Sequence, residues 1–135
     1  MKKIILLFVG FFLCLAALGA ENIKFKVGGD SRRYNQIKVV NYTNATNFDC
    51  EAFLLEDRDG KFVAQESLGC VHLRNNGGSD TVTMINLIRR GDNLGLAVPE
   101  QAGDFSYTVE YKDYPFFDVI EIKLLGADNP LGKEF

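Results

Sequence analysis

The chain has 135 residues, 47% hydrophobic and 24% charged. That is enough for one ordinary domain but not two, and too apolar for a disordered or collagen-like chain. A formal charge of −3, one histidine and no tryptophan argue against a nucleic-acid binder held by bulk positive charge and leave few groups for a catalytic constellation.

Lys2 and Lys3 precede an apolar run, Ile4 to Leu18, which ends in the small residues Gly19 and Ala20. This order is that of a secretory signal peptide over residues 1–20, cleaved after Ala20 or after Gly19. The run is shorter than the roughly 20 residues that span a bilayer, so no membrane span is expected after cleavage. Bulky Phe12 and Leu13 stand before Cys14 where a lipid-anchor signal has a small residue, so Cys14 reads as apolar filler. The short Lys-Lys start is bacterial in style, which places the trimmed chain in the periplasm or outside the cell. Removing 20 of the 135 residues leaves 115, with 13 basic and 18 acidic side chains and a net charge of −5.

Beyond residue 20 the dominant period is two. Ile23, Phe25 and Val27 alternate with polar residues, as do Phe48, Cys50, Ala52 and Leu54, although Phe53 and Leu55 blur that second face. Val82 and Met84 continue the pattern in Ser79–Ile88, then Phe105, Tyr107, Val109 and Tyr111, then Ile120, Ile122 and Leu124. Such alternation gives each strand one face in a core and one in water. Turn signals separate the runs: Asp57 to Gly60, Asn75 to Gly78, Arg89 to Asn93, Pro99 to Asp104 and Asp113 to Pro115. The expected fold is all-β, an antiparallel two-sheet β-sandwich of seven to nine strands over residues 21–128, with a flexible tail at 129–135. One short helical turn is expected near Gly29–Tyr34. Because an exported chain meets an oxidising compartment, Cys50 and Cys70 are expected to form a disulfide, for roughly 3 kcal/mol of stabilisation.

The run from Ala102 to Tyr111 resembles the penultimate strand of immunoglobulin-like and fibronectin type III-like modules, and Thr81 to Leu87 resembles an earlier strand. The likeness covers residues 79–125 and is shared by small bacterial secreted β-sandwich proteins of unknown function. It implies a last strand over Phe116–Leu125, and it makes Tyr107 the tyrosine that bonds back to backbone. The chain departs from antibody-type domains in lacking a tryptophan and in the close spacing of Cys50 and Cys70. No functional residue carries over from so broad a fold.

Several groups are candidates for chemistry, each with a plain structural alternative. Arg90-Gly91-Asp92 matches an integrin-recognition tripeptide but also suits a turn. Asn41-Tyr42-Thr43 and Asn44-Ala45-Thr46 match the glycosylation acceptor pattern, and read as polar turn residues in a bacterial chain. Glu56, Asp57 and Asp59 are weak calcium candidates. If the strands simply alternate in direction, Asp30, Asp80, Glu100 and Asp104 join them at one end; merging Lys61–Glu66 and Leu68–Arg74 into one strand scatters the group. His72 shares a face with Cys70 and Arg74 and has no evident nucleophile. The carboxylate pairs Asp118/Glu121 and Glu110/Asp113 sit at odd spacings on opposite faces. Tyr34, Tyr42 and Tyr114 fall near loops, where exposed rings hold partners.

These readings favour a non-enzymatic exported binding or adhesion module with no cofactor, calcium aside. The binding loops would carry Asp57, Asp59, Asn75, Asn76, Arg89, Arg90 and Asp92, and the partner would be a protein or glycan at the envelope or host surface. The alternatives are a secreted inhibitor of a protease or lysozyme-type enzyme, using a disulfide-stapled loop between Cys50 and Cys70, and a strand-exchanging subunit of an envelope assembly.

Overall fold

A computed structural model describes residues 21–31 and 33–126; the expected signal peptide with Cys14, and the expected tail at 129–135, lie outside the described residues. The alternating segments form eight strands: β1 (Glu21–Lys26), β2 (Arg33–Tyr42), β3 (Phe48–Arg58), β4 (Lys61–Leu73), β5 (Ser79–Arg89), β6 (Asn93–Val98), β7 (Phe105–Asp113) and β8 (Asp118–Gly126). They make two four-stranded sheets, in the orders β1-β6-β3-β4 and β5-β2-β8-β7. The molecule is therefore an all-β sandwich. Every pairing is antiparallel except β2 with β8, which run parallel with Ile37 beside Ile120 and Val39 beside Ile122.

The period-two residues meet between the sheets. Ile23, Phe48, Cys50, Leu73, Leu94 and Leu96 come from the first sheet, and Tyr34, Ile37, Val39, Val82, Ile120, Ile122 and Leu124 from the second, all buried in one cluster. Burying a side chain of this size contributes about 1.5–3 kcal/mol. The short helical turn lies at Glu100–Ala102, not near Gly29–Tyr34. Gly29 to Ser31 is bend and irregular chain, and β2 has already begun at Arg33. Tyr34 anchors that segment instead, by donating to the Gly28 carbonyl at 2.8 Å.

The expected Cys50–Cys70 disulfide is absent, and the β3–β4 ladder explains why. From Phe53 opposite Ser67 an unbroken register would bring Cys50 opposite Cys70. A bulge adds one residue to β4, so that Ala52 faces Gly69, Glu51 faces Cys70 and Cys50 faces Val71. Cys50 then points into the core and Cys70 to the opposite, exposed face. Gly69 takes a φ of +132°, and a Cβ there would sit 3.0 Å from Val82 Cγ1. The bulge therefore requires glycine and lets β4 approach β5.

At the far edge, β7 is fastened to the chain leaving β1. The Gly28 amide donates to the Tyr111 hydroxyl at 2.9 Å, and the rings of Tyr34 and Tyr111 pack with centroids 5.4 Å apart. Tyr107, the tyrosine singled out in sequence, reaches the Lys24 carbonyl only at 3.5 Å. Gly29 has a φ of +80°, and a Cβ there would collide with the Tyr34 hydroxyl and the Tyr111 ring. Gly29→Ala therefore combines a strained backbone with overpacking and is expected to cost roughly 2–4 kcal/mol. A thermal melt should show Tm lowered by about 10 °C or more; an unchanged Tm would contradict the packing described.

Candidate functional site

Consecutive strands alternate in direction, so the turns after β1, β3, β5 and β7 share one end of the sandwich, and those after β2, β4 and β6 share the other. Because β4 runs unbroken from Lys61 to Leu73, the acidic candidates are divided. Glu56, Asp57, Asp59 and Asp30 lie toward the first end; Asp80, Glu100 and Asp104 lie at the second. Asp57 is also engaged, accepting from the Gly60 amide at 2.9 Å, with Asp59 and Gly60 both at positive φ as a tight Asp-Gly hairpin requires. Glu56 pairs with Arg58 at 3.0 Å. Among the described residues no group of three or more His, Cys, Asp or Glu side chains is placed to hold a metal ion.

Other candidates serve their own turns. Asp92 accepts from the Arg89 amide at 2.9 Å, and the Gly91 amide donates to the Val27 carbonyl, so the Arg90-Gly91-Asp92 segment is a pinned turn. The Arg90 guanidinium reaches the Gly29 carbonyl at 3.4 Å. At the opposite end Asn75 and Asn76 are exposed, and Asn76 donates to the Thr43 carbonyl at 3.3 Å. Asn41 is fully buried; its amide group accepts from Thr43 and donates to the Ala45 carbonyl, which closes it to modification. His72 Nδ1 lies 2.6 Å from Asp49 and the His72 amide donates to Asp80. The chain between Cys50 and Cys70 is a hairpin of β3 and β4, not a stapled loop.

The first end carries what the sequence reading missed. The β7–β8 turn is closed by a 2.8 Å bond from the Tyr114 amide to the Phe117 carbonyl. Outside it stand Phe116 at 86% exposure, Tyr114 at 49% and Phe117 at 44%. The resemblance placed Phe116 and Phe117 in the last strand; β8 begins only at Asp118. Of the loop tyrosines singled out in sequence, Tyr114 is exposed, Tyr42 half-buried, and Tyr34 buried in the core. The turn signal at Asp113 to Pro115 is legible in sequence, but it ends the turn at Pro115, whereas the chain does not rejoin the ladder until Asp118.

Asp113 and Asp118 form the last pair of the β7–β8 ladder at the base of this turn. Beside them an open cleft of about 500 Å³ runs between Gly29–Ser31 and β7, lined by Asp30, Tyr34, Tyr111 and Asp113. Burial pushes the Tyr34 phenol above its ordinary range, with Tyr111, Asp118 and Asp30 adding to the rise. A side-chain hydrogen bond with Asp118 holds the Asp113 carboxyl above its usual range, and the Asp118 and Asp30 charges add to it. Elsewhere on the outer face of this sheet Glu121 is buried, with the Lys112 ammonium 2.6 Å away. That bond, made with the charged amine, raises the Lys112 pKa. Lys112 and Lys123 also flank Glu110, so that face is a lattice of paired charges.

Two further apolar side chains protrude from β5, Ile85 at 97% exposure and Leu87 at 41%. They lie where four residues of β5, Met84 to Leu87, stand against Asn35 alone. This edge bulge interrupts the ladder that an incoming strand would extend.

No protein-family model matches the chain, and comparisons with curated proteins and with solved structures find no match either. Among the described residues no helix is long and apolar enough to cross a membrane.

A carboxyl held above its ordinary range by a neighbouring carboxyl takes up a proton more readily in the folded chain than in the unfolded one. Its contribution to stability is complete at low pH and is lost as pH rises through the raised value. Asp113→Asn removes this dependence. Tm measured against pH should fall for the wild type relative to the variant between the acid range and neutrality, leaving Asp113→Asn at least as stable at neutral pH. Superimposable profiles would show that the two carboxyls do not interact.

Proposed function

We propose that this chain is an exported, non-enzymatic binding module that engages a protein or glycan at the envelope or host surface through its β7–β8 tip. The observation that supports this reading is the turn Tyr114–Phe117, closed by its own backbone bond, whose rings stand in water while Tyr34 and Phe48 are buried in the core. Exposed aromatic clusters of this kind are costly to leave in solvent and characteristic of contact surfaces, where burying one ring contributes about 1.5–3 kcal/mol. The turn is closed by its own backbone bond, so little ordering is needed when a partner arrives. Asp113 and Asp118 at its base supply acceptors for partner N–H or O–H groups. The pinned Arg90 turn and the Gly28–Ser31 segment flank the same end and would form its rim.

The test compares the chain recovered after export with a Phe116→Ser/Phe117→Ser variant, in capture from envelope and host extracts and on a glycan panel. The variant should keep its Tm within about 2 °C, because neither ring packs in the core. It should lose binding by tenfold or more, as removal of two anchor residues does. Equal retention by both proteins would refute the assignment of the tip as the contact surface.

A further inference from the structure

The outer face of the first sheet carries a second feature, remote from the β7–β8 tip. Phe53 and Leu55, the two residues that blurred the alternation of β3, lie on this face with Phe62 and Ala64 of β4. Gly95 and Ala97 of β6 form the floor between them and Lys24 of β1. Leu55 lies directly over Gly95, where a Cβ would stand 3.0 Å from its Cδ1. The groove has a volume of about 180 Å³, too small for most small-molecule ligands, whose sites run to about 300–1,000 Å³, and sized for a single side chain.

Next along the same face is Glu51, opposite Ala97 of the groove floor and two residues from Phe53, a separation of about 7 Å along a strand. Glu51 is only 6% exposed. Its Oε2 accepts from the Ser67 hydroxyl at 2.6 Å, while Oε1 is buried without a hydrogen-bond partner. The comparison with Glu121 is direct. That residue is buried to the same degree on the outer face of the other sheet, and the Lys112 ammonium covers it. Among the described residues no cation lies within ion-pair distance of Glu51. A buried carboxylate oxygen left without a donor is costly, and a ligand that supplies the donor recovers that cost.

We infer that this groove and Glu51 together form a binding site for a lysine side chain presented by a partner polypeptide, with the aliphatic stem along Phe53, Gly95 and Ala97 and the ammonium on Glu51 Oε1. The chemistry selects lysine over arginine. A guanidinium binds best as a fork across both carboxylate oxygens, and Ser67 already occupies one; an ammonium is a point donor that needs only the other. It also selects lysine over an uncharged chain, which would fill the groove and leave Oε1 without its donor.

The probes are three blocked tripeptides, acetyl-Ala-Lys-Ala-amide and its arginine and norleucine counterparts, titrated into the exported chain and followed by amide chemical shifts. The lysine peptide should shift Phe53, Gly95 and Ala97 and bind about tenfold or more tightly than either counterpart, the effect of one charge-assisted bond. Glu51→Gln should abolish that preference while melting no lower than the wild type, because a neutral amide is less costly to bury than a lone carboxylate. Ser67→Ala, which opens Oε2, should narrow the preference of lysine over arginine. Equal binding of lysine and norleucine peptides, a preference surviving Glu51→Gln, or no shifts at the groove would each overturn the proposal. So would sedimentation showing that the groove is filled by a second copy of the chain, or binding of butylammonium without binding of the lysine peptide.

Discussion

From Gln36 to Tyr42, β2 lies beside Val119–Leu125 of β8 in parallel register, so that Ile37 meets Ile120 and Val39 meets Ile122 in the centre of the sandwich. Each residue of β2 in this ladder meets a partner 83 positions later in the chain. Neither strand finds a complete apolar neighbour until the intervening elements have been laid down, and the entropy of closing so long a loop must be offset by the core it completes. Much else follows from that pairing. β2 and β8 point the same way because the chain reverses direction at every turn between them, through the five strands β3 to β7, and those turns are sorted strictly between two ends. The clasp of Tyr34 and Tyr111 on Gly28 then fixes the edge where β7 meets the chain leaving β1, and β7 runs on from Tyr111 into the aromatic turn.

Much of this was legible in the sequence because one physical signal, the two-residue period, is written plainly in Ile23-Phe25-Val27, Phe105 to Tyr111 and Ile120 to Leu124. All-β character, the sandwich, the strand number and the Asp-Gly hairpin follow from that period and its punctuation. What escaped the sequence depends on register. One extra residue in β4 before Gly69 turns Cys70 away from Cys50, and no pattern of residue types announces a bulge at that point. The same ladder makes Lys61–Leu73 a single strand and thereby divides the acids that an extra turn would have gathered. Tyr34, read as a loop residue, is buried because the glycines at 28 and 29 leave a recess only tertiary contact reveals. Phe116 and Phe117 read as strand because they are apolar and adjoin one; only the closing bond from Tyr114 to Phe117 shows them to be a turn.

The two outer faces solve the same problem in different ways. On the second sheet the buried Glu121 is paired with Lys112, and Glu110 with Lys112 and Lys123. On the first sheet small residues at Gly95 and Ala97 open a groove between apolar walls, and Glu51 is left one donor short.

Native-state amide hydrogen exchange on the folded chain tests the architecture most directly. The backbone amides bonded between β2 and β8 should exchange only through global unfolding, with the same opening free energy as those between β3 and β6, because all belong to one core. Exchange of β8 through an opening more than about 2 kcal/mol below the global value would mean that the last strand docks on an already complete fold, and would contradict the account.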